Sequence, residues 1–145
     1  MIKSGYTLEL DFAIRDVNNE NAIAINCMNN SNIGFKVSAN KITFRGTGTE
    51  LSANFNEEER VKVSFVVESN NKTQEGEYVT TRLASIYLNG DLTSSKQYSP
   101  TETFSQTNPL NIVFGSEECS IDIYNIRAYN RALSSKEIVD NFIYD

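Results

Sequence analysis

The side chains that most often carry covalent or metal chemistry are sparse in these 145 residues. There is no histidine, which removes the commonest general base and the commonest transition-metal ligand. Neither a Ser-His-Asp or Cys-His mechanism nor a His-based zinc site can be assembled within the chain. Carboxylates remain. In YTLELDFAIR, strand alternation puts Glu9 and Asp11 on one face, the kind of placement from which a retaining glycosidase draws a nucleophile and a proton donor about 5–5.5 Å apart. Glu117, Glu118 and Asp122 form a second acidic group, with Ser120 standing between Glu118 and Asp122 on the same face. The economical reading of both groups is a solvated strand face, and catalysis is not expected.

Hard oxygen ligands are the other available chemistry. Asp16, Asn18, Asn19 and Glu20 supply them within one turn, and Asp91 follows an Asn-Gly pair. Ca²⁺ takes such donors, so Asp16, Asn18 and Asp91 are candidate metal ligands, although no EF-hand-like spacing is present. Turn side chains capping backbone groups account for the same residues more simply. The two cysteines, Cys27 and Cys119, each lie in a strand-like run. A disulfide between them would add about 4–5 kcal/mol by loop entropy. Two buried free thiols packing as small hydrophobes is the reading that one isolated pair favours. Asn29-Asn30-Ser31 and Asn71-Lys72-Thr73 match the N-glycosylation pattern, a short motif that also arises by chance.

The elements that would position these residues are strands. Tyr6, Leu8, Leu10, Phe12 and Ile14 alternate against Thr7, Glu9, Asp11 and Arg15, and the same period recurs in Ile23, Ile25, Cys27, in Ile33, Phe35, Val37, in Ile42, Phe44 and in Val61, Val63, Phe65, Val67. This is the signature of half-buried antiparallel strands. Ala39–Asn40 marks a tight reversal, 51–56 an irregular stretch or short edge strand, and the polar 69–81 segment an exposed, extended hairpin loop. Asn89-Gly90 between two strands signals a type I′ hairpin, which needs positive φ at both positions. The 100–109 segment reads as a loop anchored by Phe104. In the last long strand Ile121 and Ile123 fall on one face and Tyr124, Ile126 and Ala128 on the other, so either both faces are buried or a bulge switches them. The chain closes with a helix of about ten residues carrying Leu133, Ile138 and Phe142 on its apolar stripe. Ser134 or Ser135 caps it, with Glu137 at capping-box distance from Ser134. Short strands with regular turns and one terminal helix predict an all-β fold, an antiparallel two-sheet β-sandwich with one short C-terminal α-helix, over residues 1–145 as a single domain.

The order of three motifs resembles the laminin-G-like branch of the concanavalin-A-like lectin-glucanase superfamily. They are the strand RVKVSF followed by the hairpin SIYLNG, the strand ending at Gly115, and DIYNIRAYNRAL before S-x-x-E-I. The resemblance covers the second half of the chain and implies a jelly-roll sandwich, usually a binding module, with termini close together and often with a rim Ca²⁺. Glycosidases of that superfamily carry E-x-D-x-E or E-x-D-x-x-E on one strand; here Ala13 and Ile14 stand where the third carboxylate belongs. The Trp often found before the central strand is absent, and with it the commonest sugar-stacking platform. The texture is also similar to tail or fibre modules of phages and to bacterial surface proteins.

Bulk properties narrow the partners. A net charge of −6 and a pI near 4.7 disfavour binding a nucleic-acid backbone. No apolar run approaches the roughly 18 residues of a membrane helix. MIKSGYTLELDF enters a strand with no apolar h-region, so no secretory signal is expected in this chain; a module of a longer protein or a virion protein would look the same. The expected function is non-catalytic recognition or adhesion, binding a carbohydrate or a surface protein outside the cell, at a cell surface or on a virion. Arg45, Tyr87, Asn89 and Tyr98 are the candidate ligand contacts, because aromatic faces with amide and guanidinium donors suit sugar hydroxyls. The alternative is a structural or assembly module of a larger chain or oligomer with no glycan ligand.

Overall fold

A computed structural model describes residues 3–19, 21–28, 33–46, 48–56, 59–100 and 112–144. The strands are β1 (Gly5–Arg15), β2 (Ile23–Met28), β3 (Gly34–Ser38), β4 (Lys41–Gly46), β5 (Thr49–Asn54), β6 (Val61–Gln74), β7 (Glu77–Leu88), β8 (Asp91–Tyr98), β9 (Val113–Phe114) and β10 (Ser120–Tyr129); the helix α1 spans Ser135–Tyr144. They form two five-stranded antiparallel sheets, β10-β1-β6-β7-β8 and β5-β4-β3-β2-β9. The anchored loop expected at 100–109, the 29–32 turn with its sequon, and Glu20 lie wholly or mostly outside the described residues.

Alternation explains the sandwich. Leu8, Leu10 and Phe12 of β1 stand opposite Phe65, Val63 and Val61 of β6, and Phe65 and Val67 stand opposite Ile86 and Ala84 of β7. This face meets Ile25, Phe35, Val37, Ile42 and Phe44 of the second sheet in one buried core. Phe35 stacks on Phe65 across the sheets at 4.3 Å between centroids, and Phe12 meets Phe55 edge-on at 5.9 Å. Cys27 and Cys119 are buried free thiols; burial pushes the Cys27 thiol up to about 11.

Two expectations change. The 69–81 segment is not a loop. β6 and β7 remain paired out to Gln74 and Glu77 and turn through Glu75-Gly76, both at positive φ. The ribbon escapes period-two detection because it extends past the core, where neither face need be apolar. The other concerns the outward face of the first sheet, read as solvated. Part of it is roofed by α1 and the chain leading into it, forming a second apolar cluster of Val66, Tyr87, Ala132, Leu133 and Ile138.

The face conflict in β10 is resolved by a bulge. Asp11 pairs with Asn125 but Phe12 with Ile123, which leaves Tyr124 as the extra residue. Ile121, Ile123, Ile126 and Ala128 therefore share the core-facing side, opposite Ile14, Phe12, Leu10 and Leu8.

Candidate functional site

The outward face of the first sheet is built in cross-strand rows. Glu9 lies between Arg127 of β10 and Ser64 of β6; Asp11 lies between Asn125 of β10 and Lys62 of β6. Cations thus stand beside carboxylates, the favourable cross-strand arrangement. α1 walls this floor with Ile138, Asn141 and Phe142, and Gly90 of the β7–β8 hairpin closes one end, leaving a shallow groove open to solvent.

Local chemistry fixes the helix that forms the wall. The capping box is made as the sequence implies: the Glu137 N–H donates to Ser134 Oγ at 3.2 Å, and the Ser134 N–H donates to Glu137 Oε1 at 3.1 Å. Arg131 adds a bidentate pair to the same carboxylate at 3.0 and 2.7 Å. The Arg131 guanidinium first, and then the Ser134 backbone bond, hold the Glu137 carboxyl down at about 2. The last turn of α1 has no basic residue of its own. Lys62 reaches over from β6, placing Nζ 3.5 Å from the carbonyls of Asn141 and Phe142, where a cation complements the helix C-terminus.

The groove carboxylates are both engaged. Asn141 Nδ2 donates to Glu9 Oε1 at 3.0 Å. Arg60 donates to both oxygens of Asp11, Nε at 3.0 Å and Nη2 at 2.9 Å, and its guanidinium lies 4.0 Å above the Tyr124 ring. Asp11 is nearly buried and Arg60 half exposed. The bulge turns Tyr124 outward to meet Arg60, and Arg15 donates to Asp122 at 3.1 Å, so paired groups line the outward side of β10.

The four residues put forward as ligand contacts do not converge. Tyr87 is corrected outright: it lies on the outward sheet face, but α1 covers it, its ring is buried and its hydroxyl shares a 2.9 Å bond with Ser135 Oγ. Tyr98 is half-buried between the sheets, against Phe44 and the Cα of Gly46. Arg45 is exposed on the second sheet, opposite Glu50. Asn89 holds the expected type I′ turn at positive φ, and its Oδ1 accepts the Lys62 N–H at 2.9 Å, so it braces the end of the groove. The sequence reading missed Arg60, Lys62, Asn125, Arg127 and Asn141. The available signal was the broken alternation at Tyr124, which marks where a bulge re-aims a side chain.

The candidate metal turn is occupied by its own backbone and neighbours. Asp16, at positive φ, accepts from Ser120 Oγ at 3.0 Å; the Asn18 N–H donates to the Glu118 carbonyl; Asn19 Oδ1 accepts the Asn21 N–H. Asp91 opens β8, its carbonyl accepting from Thr93. Among the described residues there is no group of three or more Cys, Asp or Glu side chains that could hold a metal ion.

No family model matches the chain, and no curated protein matches it in sequence. Solved structures do share its fold. The chain is similar to an HCR/D point mutant (TM-score 0.63, 16% identity, 98% of this chain and 37% of that one). It is similar to the binding domain of botulinum neurotoxin DC in complex with SialylT (TM-score 0.58, 16% identity, 98% and 36%). A third likeness is to botulinum neurotoxin type C, whose uptake into cells is described as dependent upon interaction with two ganglioside molecules (TM-score 0.57, 18% identity, 97% and 36%). At these identities the likeness is one of fold, and this chain spans little more than a third of the length of those proteins.

Proposed function

We propose that this chain is a non-catalytic recognition module of the laminin-G-like or concanavalin-A-like kind, binding carbohydrate in the groove between α1 and β10 at a cell surface, on a virion or otherwise outside the cell. The observation that carries the reading is the groove lining. Glu9 offers acceptor oxygen; Lys62, Arg127 and the Asn125 amide offer donors; Ser64 offers both; Phe142, 40% exposed at the wall, offers a ring face to sugar C–H groups. The fold shared with binding domains supports it, as does the engagement of both carboxylates by Arg60 and Asn141, which leaves neither poised as a member of a proton-sharing pair.

The test is a glycan array probed with multivalent protein, since avidity adds about 10²–10⁴ to weak single sites, run with Ca²⁺ and again with chelator. Groove binding predicts signal in both arms, abolished by Arg127→Ala and by Asn125→Ala and unaffected by Arg45→Ala on the other sheet. Signal lost with chelator would return attention to Asp16 and Asp91. A blank array would refute the reading and favour the assembly module, for which the exposed isoleucines of β10 are the specific observation.

A further inference from the structure

β10 is the edge of the first sheet. It pairs with β1 on one side, and among the described residues no strand pairs with the other. Ile123 and Ile126 face the core side, opposite Phe12 and Leu10, yet each is 42% exposed. A long edge with exposed apolar side chains is a template for another strand.

We propose that two copies of the chain pair antiparallel along β10, about a two-fold axis passing between Tyr124 and Asn125, joining their two five-stranded sheets into one continuous sheet. The register follows from the bulge. Side chains paired across antiparallel strands must point to the same face. The extra residue shifts the alternation, so Ile121 and Ile123 before it share a face with Ile126 and Ala128 after it. Each half of β10 therefore matches the opposite half of a second copy. Only the register that sets the two bulges across from one another satisfies this along the whole strand. Moving it by one residue sets each core-facing side chain against an outward one, and moving it by two sets Ile123 or Ile126 against an outward bulge residue.

In that register Ile123 meets Ile126 of the second copy, Ile121 meets Ala128, and Asp122 meets Arg127, each contact made twice by symmetry. Apolar side chains fall on apolar ones and opposite charges on each other, a self-complementarity that a chance register would not supply. Bulges at edges often deter pairing. This one sits midway between Asp122 and Arg127 and is what brings their faces into phase. The Asp122–Arg15 pair, 57% and 41% exposed, does not oppose it, since an exposed carboxylate exchanges or shares guanidinium partners at little cost. Asn125 and Arg127 also line the groove, so pairing would open both grooves on the same side of the joined sheet. The dimer itself rests on the strand geometry and not on what the groove binds.

The test is sedimentation velocity and light scattering on the whole chain up to about 1 mM. The expected result is a concentration-dependent species of twice 16.3 kDa. Ile126→Lys should weaken association about two- to thirtyfold, because symmetry removes the apolar pair twice, with unchanged far-UV circular dichroism. Asp122→Arg should weaken it as well, and adding Arg127→Asp should restore it. The doubly substituted Ile123→Cys, Ile126→Cys protein should oxidise to a covalent dimer, whereas Ile123→Cys alone should not. A strict monomer that also fails to crosslink overturns the proposal; so does a dimer indifferent to Ile126→Lys and to the charge reversal. Glycan binding by a monomer would count against the dimer alone, and a dimer blind to glycans against the groove alone.

Discussion

Thr7 gives the sharpest test of how α1 is held. The residue sits on the outward face of β1 and is 1% exposed. Its Oγ1 donates to the Arg131 carbonyl at 2.9 Å and accepts the Leu133 N–H at 3.0 Å, tying the end of the β10–α1 connection to the sheet. Thr7→Val keeps the shape and removes both bonds. An orphaned buried backbone group costs about 1–3 kcal/mol, so two orphans less the gain of about 0.8 kcal/mol for an added buried methyl give a net loss of about 1–5 kcal/mol. Thr7→Ser keeps both bonds and loses one methyl, about 0.8–1.5 kcal/mol with its small cavity. For a domain of this size each kcal/mol moves Tm by about 2–4 °C, so the valine variant should melt about 2–20 °C below wild type. The assay is urea unfolding followed by far-UV circular dichroism, with midpoints compared at constant m. If burial of apolar area governed this site, valine would be the more stable variant. A valine protein equal to or more stable than the serine protein would refute the hydrogen-bond argument.

The remaining expectations concern pH, thiols and backbone space. The Glu137 carboxyl is held at about 2, below its ordinary value near 4.5. Its contribution to stability is therefore fully present above about 4.5, and is lost as pH falls through that value toward the folded-state value of about 2. Urea midpoints between pH 6 and pH 2.5 should show a steeper acid loss for wild type than for Glu137→Gln; equal slopes would remove Glu137 from the account. With the Cys27 thiol pushed up to about 11 and both cysteines buried, a thiol reagent at neutral pH should label neither in the native protein and both in urea. Rapid native labelling, or a disulfide on a non-reducing gel, would contradict this. Gly34, at φ +134°, has no room for a Cβ against the Cys27 carbonyl, whereas nothing lies within 4 Å of a Cβ built on Gly48. Gly34→Ala should therefore lower the urea midpoint far more than Gly48→Ala, and similar midpoints for the two would be the contrary result.

Much of this fold is legible in the chain because it is local. Alternation names the core-facing residues of β1, β3, β4 and β6; Asn89-Gly90 names a hairpin because only positive φ closes a type I′ turn; Ser134 and Glu137 name the helix start because their bonds span three residues. The polar ribbon beyond Ser69 reads as an extended hairpin but not as paired strands for the converse reason: far from the core nothing obliges one face to be apolar.

The candidate site was illegible because its contacts join residues distant in sequence. Arg60 meets Asp11 across 49 positions, Asn141 meets Glu9 across 132, and Lys62 reaches the end of α1 across about 80. Alternation states that Thr7, Glu9 and Asp11 point away from the sandwich core, and this holds. Whether outward means solvent depends on where α1 lands, and that docking buried Thr7 and Tyr87 while leaving Glu9 and Asp11 to floor a groove. Local composition and period fix which face a side chain takes. Only the packing of one element against another decides what that face meets, because the free energy of docking depends on a surface assembled from separated segments.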